Sequence, residues 1–178
     1  MKNLLTAVLI TLLITAGCGN PFTPPPPDLT EYAGTWQMAG LSTGTYERIY
    51  RESVDDPWII DMIDASVADR AIWVIDPDAI TILYGEPGME DVPPITATCT
   101  VAGDTLNVAY THTFEWTYND ALITESYAYA LSCDLSGDLA GALEFAGTVQ
   151  YEATYEPEMF SKNTGGELEF EGVLYLAI

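Results

Sequence analysis

The stretch Thr105-Leu106-Asn107-Val108-Ala109-Tyr110-Thr111-His112-Thr113-Phe114-Glu115-Trp116-Thr117-Tyr118 alternates large or apolar side chains at even positions with smaller or polar ones at odd positions. A period of two belongs to a strand with one buried face, so Leu106, Val108, Tyr110, His112, Phe114 and Trp116 are expected to point inward. Gly103-Asp104 precedes the run and Asn119-Asp120 follows it, dipeptides of the kind that closes a two-residue hairpin. Across such a loop paired residue numbers sum to an odd value. Inward even positions therefore face inward odd ones, which sets Cys99 opposite Val108 and Cys133 opposite Leu106. The flanking runs have that phase: Ala97, Cys99 and Val101 before, and Ile123, Tyr127, Tyr129, Leu131 and Cys133 after. The next hairpin joins odd to odd and needs an odd loop, which Ser136-Gly137-Asp138 supplies with a glycine for a left-handed position.

Working outward, Leu143, Phe145, Val149, Tyr151 and Tyr155 make a further run, and Leu168, Phe170, Leu174 and Leu176 lie opposite Glu167, Glu169 and Glu171. On the other side, Ile72 to Ile75 and Ile80 to Tyr84 flank the turn Asp76-Pro77-Asp78, and Trp36, Met38, Tyr46 and Tyr50 mark one long bent strand or a short hairpin. About eight strands with one apolar face each predict an all-β domain over 31–178, an antiparallel up-and-down β-barrel. One segment breaks the period. Asp56 suits a cap, Pro57 a first turn, and Trp58, Ile59, Met62, Ile63 and Val67 share a helical face away from Asp61, Asp64 and Asp69, predicting a short α-helix over 57–68 that covers an end or face of the sheet.

The N-terminal part has a different character. Lys2, the apolar run 4–14 and the small residues Thr15-Ala16-Gly17 make an export signal ending at Cys18. The run falls short of the ~20 apolar residues that span a membrane. The pattern resembles the lipobox of bacterial lipoproteins, with Thr15 where leucine is more usual. That resemblance implies removal of 1–17 as a signal peptide, attachment of fatty acids such as palmitate at Cys18, and, with Gly19 following, sorting to the outer membrane of a Gram-negative cell. Several acyl chains give stable anchoring. Residues 18–30, with Pro21 and the prolines 24–27, read as a stiff extended spacer between lipid and domain.

Charge narrows the partners. There are 27 acidic residues against five basic ones, a net charge of −22, and such a surface repels phosphate backbones, so nucleic acid is not an expected partner. No calcium-type loop, zinc-type cysteine spacing, nucleophile elbow or phosphate-cradling loop occurs. Neither a metal nor a cofactor is expected, and no catalytic residue. The single histidine, His112, falls in the inward phase between Tyr110 and Phe114, where burial disfavours its charged form. The inward tyrosines would line a barrel interior with aromatic faces and a few hydroxyls, which suits a small amphipathic molecule. Trp36, Tyr110, His112, Tyr127, Tyr129 and Tyr151 are the candidate ligand contacts. An oxidising exported compartment favours pairing of Cys99 with Cys133, yet the register puts them about 10 Å apart across an intervening strand, beyond the roughly 7 Å limit for a disulfide. Both alternatives stay open from the sequence.

Tyr32-Ala33-Gly34-Thr35-Trp36 carries a second resemblance. A Gly-x-Trp opening the first strand of an eight-stranded meander is similar to the lipocalin-type barrels of the calycin superfamily. There the tryptophan closes the barrel floor under an arginine from late in the chain; here no arginine follows Arg70. The resemblance implies a non-enzymatic protein binding a small apolar or amphipathic ligand, with the 57–68 helix as its lid. The alternative from the composition is a structural or interaction module of the cell envelope, with a filled core and an acidic exterior.

Overall fold

The computed structural model describes residues 27–84, 92–136 and 141–177. Residues 1–17, Cys18 and the spacer up to residue 26 lie outside the described residues, as does 85–91 of the acidic loop. Eight antiparallel strands follow one another in a closed up-and-down sheet: β1 (Gly34–Tyr50), β2 (Ile59–Asp76), β3 (Ala79–Leu83), β4 (Ile95–Ala102), β5 (Thr105–Tyr118), β6 (Ala121–Asp134), β7 (Ala142–Glu156) and β8 (Thr164–Leu176). Pairing of β8 with β1, from Trp36 with Leu176 to Glu47 with Gly165, completes the ring.

Turn chemistry sets the register. Pro77-Asp78, Gly103-Asp104 and Asn119-Asp120 are two-residue loops closed by the pairs Asp76 with Ala79, Ala102 with Thr105 and Tyr118 with Ala121. Asn119 and Asp120 both have positive φ, 49° and 62°, the mirror-image turn whose twist matches that of the strands. Cys99 faces Val108 and Cys133 faces Leu106. The next hairpin keeps its odd-to-odd phase, Cys133 pairing with Phe145; of its expected loop Ser136-Gly137-Asp138, Gly137 and Asp138 lie outside the described residues. Local bonds hold the end of β6. Leu135 donates its N–H to Asp104 O at 2.7 Å, tying the chain to the adjacent turn, and Ser136 donates through its N–H and hydroxyl to Asp134 Oδ1.

The expected helix over 57–68 is not there; the only helical turn among the described residues is a 3-10 turn at Thr30–Tyr32. From Ile59 the chain is strand, and β2 pairs with all of β1, from Gly34 with Ile75 to Tyr50 with Ile59. A helix of that length has little stability unless a face is buried, whereas a strand satisfies its backbone along β1 and suits Ile59, Ile60, Ile63 and Val67. The segment is therefore barrel wall. The apolar residues that would have formed one helical face are split between the two sides, leaving Met62, with its neighbour Ile60, well over half exposed.

One end of the sheet is closed. Trp36, Trp73, Ile75, Ile80, Leu106, Leu143 and Leu174 fill it, and Leu29, fully buried, plugs it from outside with its N–H donated to Pro77 O at 2.8 Å. The opposite end carries the 51–58 and 157–163 connections, joined by Arg51: its Nε donates to Met159 O and its NH1 to Val54 O, while its guanidinium lies 4.5 Å from the Trp58 ring centre. Outside, the strands present Thr111, Thr113, Glu115, Glu144, Glu152, Glu167, Glu169 and Glu171 to solvent.

Candidate functional site

β3 and β4 are the short strands, and their shortness shapes the site. β3 pairs with β2 only over Ile72–Asp76, and β4 with β5 only up to Ala109. Among the described residues the rest of β2, toward the open end, is paired on its β1 side alone, and the rest of β5 on its β6 side alone. Among the described residues the wall thus opens on one flank. At that level the interior holds a cavity of about 120 Å³, lined by Ser42, Asp69, Tyr84, His112, Phe114, Tyr127, Tyr129 and Leu168 together with Val67, Ala68 and Arg70 of β2.

Its floor is a layer of buried rings. Tyr84 stacks on His112 with ring centres 4.1 Å apart, and Tyr110 stacks on Tyr129 at 4.5 Å. Two hydroxyl contacts bind the layer: Tyr129 donates to Asp69 Oδ2 at 2.6 Å, and Tyr84 to the Tyr110 hydroxyl at 3.4 Å. Burial raises the pKa of Tyr84, Tyr110 and Tyr129, and the nearby Asp69 carboxylate adds to it. Burial lowers that of His112, an effect Asp69 partly offsets. At neutral pH the imidazole is uncharged, and its Nε2 is buried without a hydrogen-bond partner in a residue only 3% exposed. Such a group costs stability unless a ligand or water satisfies it.

Of the expected contacts, His112, Tyr127 and Tyr129 line the cavity, and Tyr110 lies beneath it in the ring layer. Tyr151 sits toward the open end, packed on Tyr127 at 5.0 Å and Tyr46 at 5.2 Å. Trp36 is elsewhere, in the closed end, with Nε1 donating to Tyr32 O at 2.9 Å. The other lining residues, among them Asp69, Tyr84, Phe114 and Leu168, were not among the expected contacts. Cys99 and Cys133 are both free, on strands separated by β5 as the meander order requires. Burial pushes the Cys133 thiol up to about 12, which leaves it inert at neutral pH.

The volume decides what can enter. A water molecule's share of liquid is about 30 Å³, and pockets for drug-sized molecules run to roughly 300–1,000 Å³. A space of 120 Å³ takes a few waters or a compound of a single ring or fewer atoms. A larger concavity, about 730 Å³, lies on the outer face across β1, β2 and β6 to β8, walled by Asp134, Glu144 and Glu171 and open to solvent. Compared with models of known protein families and with curated proteins, the sequence matches none.

Proposed function

We propose that the protein is an exported, lipid-anchored component of the cell envelope, held at Cys18 in the outer membrane, whose lipocalin-like barrel binds a small amphipathic ligand without transforming it. The aromatic cavity beside the short β3 and β4 carries this reading: it joins apolar rings to a few polar atoms in a concave space, the makeup of a small-molecule site. Anchoring fits the same geometry, because residues 27–29 lie at the closed end. A tether leading to Cys18 would leave from the floor, with the cavity and open end turned away from the bilayer.

Native mass spectrometry of protein extracted from its own membranes with mild detergent is expected to show a retained small molecule, lost on partial unfolding. An interior holding only water removes the ligand reading. The filled, dense packing of the closed end would then favour the interaction module with an acidic exterior. The anchor has its own test. Labelled palmitate is expected to enter the wild-type chain and not Cys18→Ser, which should leave the membrane fraction altogether; an unlabelled wild type would remove the lipoprotein reading and leave the cavity untouched.

A further inference from the structure

We propose that the edge of β2 over residues 59–66 is a docking site for an extended, basic segment of another protein, which it takes up as an added strand. β2 pairs with β1 along its whole length but with β3 only from Ile72 on, and among the described residues no other backbone hydrogen bond reaches 59–66. A strand sends about half of its N–H and C=O groups to each side. This length therefore offers a row of unpaired donors and acceptors that an incoming strand can satisfy. The chain between β3 and β4 is too short to do so: residues 84–94, run out and back, reach about five positions, roughly 17 Å, and stop short of Ser66. Open edges are commonly blunted by proline, lysine or a bulge. Residues 59–66 have neither proline nor lysine, and their register with β1 runs unbroken from Tyr50 with Ile59 to Thr43 with Ser66. What guards the edge is acid. Asp61 and Asp64 stand on the strand, and Asp55 and Asp56 are exposed on the connection before it. The nearby cations are engaged: Arg48 lies 3.6 Å from Asp61 and over the Tyr50 ring, and Arg51 and Lys162 both lie over Trp58. That sign selects the occupant. A second copy would bring the same acids and a net charge of −22 to the seam, and like charges opposed across strands are destabilising. A basic segment is attracted instead, and apolar side chains on it can cover the exposed Ile60 and Met62. The pairing needs neither the anchor nor a ligand in the cavity.

Three end-blocked peptides of about eight residues, enough to span the edge, separate strand pairing from charge. One alternates lysine and valine, one has glutamate for each lysine, and one is the lysine peptide methylated on two adjacent central backbone nitrogens, which removes a donor from each of its edges. Hydrogen–deuterium exchange on the full chain in mild detergent at low salt is expected to find fast amides within 59–66, slowed at least about tenfold by the lysine peptide and little by the other two. By calorimetry the lysine peptide should bind at least about tenfold more tightly than the glutamate one, and Asp64→Lys, at an exposed position, should erase most of that preference. A methylated peptide that binds as well as its parent overturns the added strand, because acid alone would then hold it. Amides of 59–66 that are all slow in the free monomer mean that the chain covers its own edge. Slow exchange that appears only with a dimer in native mass spectrometry puts a second copy there. Either result overturns the proposal and leaves the cavity reading standing.

Discussion

Between pH 10 and pH 12 the barrel is expected to unfold in one cooperative step, and tyrosinate absorbance should rise with the loss of sheet circular dichroism. Tyr84, Tyr110 and Tyr129 are each 6% exposed. Burial, reinforced by the Asp69 charge, raises their pKa values well above the ordinary 10. Below pH 10 the phenols are protonated in both states and these groups make no difference with pH. Above it the unfolded chain releases three protons that the native state still holds, so stability falls as pH rises toward the native values. The slope is about 1.4 kcal/mol per group per pH unit, about 4 kcal/mol for the three. Two units remove about 8 kcal/mol, comparable with the 5–15 kcal/mol total stability of a typical domain. The same layer that shapes the cavity thus sets the alkaline limit. Replacing Tyr110 with Phe, which keeps the stacked ring and deletes the proton, should move the midpoint upward. Tyrosinate absorbance that rose near pH 10 with the sheet intact would mean that these rings are wet.

Strand phase, turn positions and most of the inward side chains were legible because period two and two-residue turns leave little freedom: one slipped residue would turn Tyr110, His112 and Tyr129 out to solvent. The 57–68 segment was not legible. Its apolar residues satisfy a helical face, and only the part of β1 across from it, Leu41 to Tyr50, decides for strand. That one misreading hid the site's charge. On a helix Asp69 belongs to the polar side; in β2 it shares the odd phase of Ala71, Trp73 and Ile75 and comes to the cavity wall. Tyr84 and Phe114 were readable from alternation with Ile82 and His112. What alternation could not supply is that β3 and β4 stop short, since the length of a strand depends on which partners remain alongside it.

Gly147→Ala is expected to cost at least about 3 kcal/mol, a fall of about 6–12 °C in melting temperature for a domain of this size. Gly147 lies in the inward phase of β7, opposite Leu131 on one side and Phe170 on the other. A Cβ there would stand 2.0 Å from Ala130 O and 2.8 Å from Leu131 Cα. These are backbone atoms of a strand hydrogen-bonded on both sides, so they cannot step aside as a side-chain tip could. Backbone and rings come close here, and other inward glycines meet the same crowding: the Phe170 ring lies against Gly40, and Gly172 faces both Ala39 O and the end of the Phe145 ring. Phenylalanines laid over glycines fill the space that missing side chains leave, a device that lets a closed sheet turn a corner. Gly103→Ala is the control. Its φ is +61° and no atom lies within 4 Å of the added carbon, so it should lose only about 1 kcal/mol, the cost of a left-handed alanine. Chemical denaturation of both variants would separate crowding from backbone conformation. Equal losses would mean that β7 does not press on β6 at this point, and the ring layer of Tyr110, Tyr129 and Phe170, which is built against it, would have to be arranged differently.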